Sequence, residues 1–483
     1  MRANYSTYVT PQFRVLSDDQ IRDIHRATLE VLEHTGVVLK EPESVALLQG
    51  AGARVEKDRV RIPSFLVEEA IRTAPKQVLL YNRDGDKAIV LDDHRSYFGG
   101  IFDTPGFIDP FTHERRPFLS TDYRMSALVN DYCPNIHWAT WAGDASDFPP
   151  PVRDQLAFKM VLPYTKKPIG VNALNESDLT DLFDMAAVVA GGCENLCKRP
   201  FVFNTAEPIT PLLHRSETIR KVLLCAQLGI PIVYYGMPAA GATAPSSFSG
   251  LLVVGNAEIL SGLVIHQLKA RGAPFVYGFM PSHMDMRTTV WCYGAPEFAL
   301  LCSAVADIAH YYNLPMYGTA GCGDSQEMDE QAAVETTMTC LMSALSGANL
   351  VHDVGLLGGA DVLSLELIVL TDEVLDMITK IMGGIEVSPE TLAVDLIDKV
   401  GPGGTYLTEE HTLKNFRRFW YPKLFYRNRY DVWSSEGRPN LREKLNRKTR
   451  EIIEQHQVDP LPDDVLKELA VLEKRWMVKA TDI

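Results

Sequence analysis

The residues able to do chemistry in this sequence cluster where short apolar runs end. The stretch from Pro315 to Gly355 reads as a strand, a polar loop, a helix and a second strand, the pattern of a parallel β/α protein. Its first strand runs into Gly321-Cys322-Gly323-Asp324-Ser325 and its second into His352-Asp353 and Gly355. Both runs break at the same end, where β/α proteins place their chemistry. Other apolar runs end in Asn172, in Asn204 and Glu207, in Tyr234 and Tyr235, and in Met280 and His283. Each such residue alone is a weak signal. Their force comes from sharing one rim.

The same rim is rich in rings: Tyr97, Phe98, Phe102, Trp138, Trp141, Tyr234, Tyr235, Tyr277, Phe279 and Trp291. Strand alternation turns about half of them toward an outer layer. The remainder would suit a fully substituted ammonium group, which has no hydrogen to donate and is held by ring faces. The sequence has no GxSxG elbow, no HExxH helix and no cysteine in a nucleophile motif,. Cys193 and Cys197 lie four apart without a second pair, so no zinc knuckle or other metal site is expected,. This residue set fits a reaction in which the protein positions a substrate and a separate cofactor performs the difficult step.

Eight strand-like runs can carry these residues: Tyr97 to Phe102, Ile136 to Ala142, Pro168 to Leu174, Phe201 to Glu207, Pro231 to Pro238, Phe275 to Pro281, Pro315 to Ala320 and Leu350 to Val354. Helical periodicity occupies most of the intervals, as in Glu176 to Ala190 and Ala295 to Tyr312,. Eight alternations predict an α/β fold, a (β/α)8 TIM-type barrel over 96–365. An open doubly wound sheet would need a glycine-rich phosphate loop, which is missing. Residues 1–95 read as a helical cap with a β-hairpin around Arg83-Asp84-Gly85-Asp86, and 366–483 as a helical extension,. Within the extension, His411 to Ser435 is dense in Arg, Lys and aromatics. It reads either as a connector wrapped on the barrel or as a docking surface for an acidic partner.

With 483 residues, 46% hydrophobic and 23% charged, the composition is that of a globular protein,. A net charge of -15 argues against nucleic acid or an acidic membrane surface as partner,. The amino terminus lacks the apolar core of a signal peptide, and no stretch reads as long enough to span a bilayer. The eight cysteines read as reduced thiols and the location as cytoplasmic,.

Three stretches carry a resemblance: TPGFIDPFTHERRPFLSTDY (Thr104 to Tyr123), YGTAGCGDSQEMDEQAAVET from Tyr317, and LSGANLVHDVG (Leu345 to Gly355). With them the chain resembles the trimethylamine methyltransferase family, corrinoid-dependent enzymes on a TIM-type barrel. The resemblance implies methyl transfer from a methylamine to the cobalt of a cobalamin carried by a small corrinoid protein. Members that demethylate trimethylamine carry pyrrolysine near the segment corresponding to Gln331 to Thr337. Here EQAAVETTM holds standard residues. Members of that kind resemble demethylases of quaternary amines such as glycine betaine, proline betaine or carnitine. A quaternary nitrogen is already cationic, so its tertiary amine leaves neutral without a proton donor.

On this reading Tyr97 and Phe102 wall an ammonium cage, with Glu207, Tyr234, Tyr235 and His283 as further substrate contacts. His352 and Asp324 are the catalytic expectations, and Gly321, Gly323 and Gly355 join His352 in bordering the cofactor. Arg95, His283 and Arg287 are candidates for binding a betaine carboxylate. Two other readings stay open: a metal-dependent methyltransferase on the same barrel, and a betaine-binding protein without catalysis. Long exterior helices are compatible with a homodimer.

Overall fold

A computed structural model describes residues 10–481, with side chains described to Met477. The leading residues read for a signal peptide therefore lie mostly outside the described residues. Eight parallel strands form the centre: β1 Tyr97–Gly99, β2 Ile136–Trp138, β3 Ile169–Val171, β4 Val202–Ala206, β5 Ile232–Tyr234, β6 Phe275–Tyr277, β7 Tyr317–Thr319 and β8 Leu350–His352. β3 to β6 pair in sequence, and β7 pairs β8, which pairs β1, which pairs β2. The parallel bridges Ala139 to Ile169 and Tyr277 to Met316 join the two sheets into a ring. A helix follows each strand: α1 Ser120–Tyr132, α2 Arg153–Val161, α3 Glu176–Ala190, α4 Ser216–Leu228, α5 Phe248–Lys269, α6 Pro296–Tyr312, α7 Glu330–Ser346 and α8 Leu365–Met382. The fold is the expected (β/α)8 barrel. Because α8 is the eighth barrel helix, packed between α7 and α1, the barrel runs to Met382 and does not stop at 365.

Strand alternation sorts the side chains. Phe203, Val233, Val276, Leu350, Trp138 and Tyr317 fill the lumen, while Val202, Ile232, Phe275 and Val351 pack in the layer under the helices,. The antiparallel hairpin Val78–Tyr81 with Lys87–Leu91 inserts Val78, Leu80, Ile89 and Leu91 into the lumen cluster and closes the floor.

One feature overturns an expectation. α5 is long and apolar enough to cross a membrane. Its apolarity has another cause: the cap helices Asp18–Glu30, Pro42–Ala51 and Ser64–Thr73 lie over it, so it is covered on both sides,. Asn256 ties it to its neighbours: it donates to Thr28 Oγ1 of the cap and to Tyr312 Oη, and accepts from Tyr277 Oη.

The stretch TPGFIDPFTHERRPFLSTDY forms an antiparallel pair, Gly106–Ile108 with Arg115–Pro117, beside Val362–Ser364 over the β1 and β8 ends. Arg116 donates to Asp109 and to the fully buried Asp122 at the start of α1. Arg115 pairs with Asp361 across this small sheet.

Candidate active site

The carboxyl ends of β7 and β8 build the centre of the mouth. Register places Thr319 beside His352, and Thr319 Oγ1 lies 2.8 Å from His352 Nε2. Asp353 Oδ1 lies 2.7 Å from Nδ1. Nδ1–H donates to the carboxylate, so Nε2 accepts from the threonine hydroxyl. The Tyr317 ring stacks on the imidazole at 4.2 Å with planes 9° apart, and the Tyr235 ring lies 5.1 Å from Tyr317 and 5.7 Å from His352. His352 is 2% exposed and both nitrogens are engaged within the protein. It is thus held within the ring stack by Thr319, Asp353 and Tyr317.

Next to this stack Tyr235 lies beside Glu207. Burial raises the Glu207 carboxyl above the ordinary range, and Lys221 and His352 oppose that shift,. Glu207 forms one wall of a cavity of about 610 Å3 at the β2 to β4 side of the mouth. Its other walls include Asp103, Asp144, Asp154 and Asp178, with Arg153, Arg215 and Lys221 as cations. Lys221 Nζ is held by the Ala173 carbonyl at 2.6 Å and Arg153 pairs with Asp144, whereas Arg215 makes no ion pair among the described residues.

Asp103 accepts from Trp141 Nε1 at 3.1 Å and from Asn172 Nδ2 at 2.9 Å. Open to the cavity yet walled by protein, its carboxyl is pushed up to about 7 by desolvation and by Asp144. Asp154 is pushed up to about 6, mainly by desolvation. Asp103 at φ 57° and Asp353 at φ 79° are non-glycine residues in the left-handed region, a strained conformation that often marks functional sites.

The expected site residues divide. Phe102 lies in the mouth with its ring 6.2 Å from Trp138 and 6.3 Å from Trp141, and Glu207 and Tyr235 meet as described. Tyr97 does not join them: it begins β1, pairs with Leu350 two residues below His352, and packs near the floor. Tyr234 points outward, its hydroxyl 2.5 Å from His214 Nδ1 and its ring against the space that Gly262 of α5 leaves open.

Asp324 is occupied structurally. Its two oxygens accept from the Tyr293 and Gly294 amides at 2.8 and 2.9 Å, which pins the β6 to α6 loop. Glu335, in the segment read through with standard residues, accepts from the Asp324 and Ser325 amides and stabilises the same corner. The side-chain faces of Gly321, Gly323 and Gly355 are closed by Val354, Glu335 and Ile368. These glycines let the loops pack closely and are not open toward a cofactor on that face.

His283 sits on the β6 to α6 loop with Nδ1 buried and without a partner among the described residues. Arg287 is on the same loop, exposed. Arg95 precedes β1 at the floor and pairs with Asp92, so it leaves the carboxylate candidates. Among the described residues no three His, Cys, Asp or Glu side chains converge as a metal would require.

The open space is thus acidic, where an aromatic box was expected. The rings fill the lumen against one another, and carboxylates line the cavity beside them. Asp103, Asp144 and Asp154 were missed because they lie one to a dozen residues beyond the strand runs, in loops that only the folded barrel brings together. The acids just after the first two runs were the available signal.

A profile of the trimethylamine methyltransferase (MTTB) family matches residues 2–477. The trimethylamine methyltransferase MttB of Desulfitobacterium hafniense (strain DSM 10664 / DCB-2) is 32% identical over 451 residues, covering 93% of this chain and 91% of that protein. A glycine betaine methyltransferase of Desulfitobacterium hafniense (strain Y51) is 30% identical over 434 residues, covering 88% and 89%. Among solved structures, the Methanosarcina barkeri monomethylamine methyltransferase (MtmB) shares the fold, with a TM-score of 0.52 at 13% identity over 92% of this chain and 89% of that one.

Proposed function

The chain belongs to the trimethylamine methyltransferase family, and from that premise we propose that it moves a methyl group from a betaine to a corrinoid carried by a partner protein. The carrying observation is the acidic cavity at the barrel mouth, bounded by Glu207, Asp103 and Asp154. A permanent cation gains from these carboxylates without supplying a proton, and their pKa values, raised first by burial, are ones that a bound cation would lower,. The likeness to a glycine betaine methyltransferase supports the same substrate class. Arg215 lines the cavity without an ion pair, and a guanidinium so placed is suited to a substrate carboxylate.

When presented, the corrinoid supplies a low-valent cobalt nucleophile as methyl acceptor. The chain's own residues orient the donor. Glu207, beside Tyr235, attracts the ammonium, and the Thr319-His352-Asp353 group holds the ring stack that backs Tyr235. No proton need move, because the departing tertiary amine is neutral. Leu174 and Ile209 on the cavity rim, and Met286 and Val290 on the β6 to α6 loop, are exposed apolar side chains suited to receiving a partner face,. These residues fit a corrinoid brought by another protein, since both His352 nitrogens are engaged within this chain.

The test is a spectroscopic assay with free cob(I)alamin and a panel of amines. Glycine betaine or another betaine should yield methylcobalamin and the tertiary amine. Loss of the reading would follow if no quaternary amine changed the cobalt spectrum.

A further inference from the structure

The turn of the floor hairpin, Arg83-Asp84-Gly85-Asp86, takes no part in the site at the mouth. It borders a second cavity, of about 590 Å3, at the opposite end of the barrel. The other walls come from the chain between α3 and β4 and from residues 460–462, just before the helix Asp463–Thr481.

Arg83 is 7% exposed, and no carboxylate touches it among the described residues. Its guanidinium is held by two carbonyls, Leu162 O at 2.7 Å and Asp459 O at 2.6 Å, which orient the fork without neutralising it. Burial lowers its pKa, against the field of Asp84, Asp131 and Asp459. A charged side chain at that depth is normally paired. Arg199 lies across the turn, its Nη1 3.8 Å from where a Gly85 side chain would begin, and it too makes no ion pair among the described residues. The nearby acids are already matched: Lys166 pairs with Asp84 and Asp459, and Lys198 with Glu194. In a chain of net charge -15, two guanidiniums therefore border one cavity without a counter-charge.

We propose that this cavity binds a phosphate-bearing small molecule. Guanidinium forks match the oxygens of a phosphate group, and two of them, one held in place by carbonyls, suit a dianion better than a single carboxylate. Beyond the cations the walls turn apolar, with Phe201, Pro460, Leu461 and Pro462, which gives an organic moiety a surface to lie on. The ligand would bridge the floor hairpin to the C-terminal segment, whose Asp459 carbonyl already holds Arg83.

The site is remote from the mouth, so the proposal does not depend on the methyl-transfer reading, and its test uses no activity. Calorimetric titration of the full chain at constant ionic strength takes inorganic phosphate, AMP and acetate as probes. Phosphate or AMP should bind saturably at a single site and acetate should not. Tighter binding of AMP marks a phosphate ester as the ligand; equal affinity marks free phosphate. Arg199→Ala, which breaks no hydrogen bond or ion pair among the described residues, should weaken binding about 10-fold, as loss of a charge-assisted hydrogen bond does, and leave the ligand-free melting temperature unchanged. Arg83→Lys keeps the charge but loses the fork and should weaken binding as well. Ligand should also slow amide exchange in 82–86 and 459–462. No saturable binding of phosphate or AMP by the folded chain, equal affinity for acetate, or an affinity unaltered in Arg199→Ala would overturn the proposal.

Discussion

Glu207→Gln isolates the charge on which the proposed substrate binding depends. Glutamine keeps the shape of the side chain beside Tyr235, and the stack is held by Thr319, His352 and Asp353, so it should stay in place. What is removed is one negative charge beside the ammonium. At about 5 Å and an effective dielectric of about 20, that attraction is worth about 3 kcal/mol. Asp103 and Asp154 line the same cavity and retain part of the field, so about 2 kcal/mol should be lost, or roughly 30-fold. The assay is initial-rate kinetics of betaine-dependent cob(I)alamin methylation. KM should rise about 30-fold while the melting temperature holds or increases, since an unfavourably buried carboxylate has gone. The parent's KM should also climb as pH falls through the raised Glu207 pKa, and the variant's should not. A KM within twofold of the parent, with the fold intact, would refute the carboxylate's role.

Asp103→Asn tests linkage at the neighbouring acid. With a folded pKa of about 7, above its ordinary value, the folded chain holds a proton that the unfolded chain releases. The associated stability is present below the unfolded value and lost as pH rises through about 7. Thermal melts should therefore show the variant more stable than the parent at pH 8 and matched to it near pH 4. Arg215→Ala should raise KM for betaines by about 10-fold, in line with loss of a charge-assisted hydrogen bond, and leave a quaternary amine without a carboxylate unaffected. Tyr97→Ala should cost about 2 to 4 kcal/mol in urea unfolding, as loss of a large partly buried ring does, with KM unchanged because the ring lies at the floor. Arg116→Leu should cost about 3 to 5 kcal/mol by stranding the buried Asp122,; equal urea midpoints would remove that pair from the account.

The barrel was legible because each strand is a short apolar run and each helix has its own period, local signals that survive without knowledge of neighbours. So were the strand-end positions of Glu207, Tyr235 and His352. Alternation correctly warned that half the rings face outward, yet only register decided which: Tyr234 meets His214 and Tyr235 meets Glu207. Depth was equally hidden. Tyr97 and Phe102 lie five residues apart on one strand run, and pairing with Leu350 set the first near the floor.

By itself the sequence determined the eight-fold alternation, the family likeness and the cluster of polar strand ends, since these follow from periodicity and composition along the chain. Tertiary structure alone decided that the rings fill the lumen, that Asp324 pins a loop, and that acids from separate loops form the cavity. It also showed that the apolar α5 is covered by the cap helices while no residue of 379–444 is buried. The physical reason is common to all of these: side-chain direction, burial and charge spacing depend on residues far apart in sequence, and no local pattern encodes them.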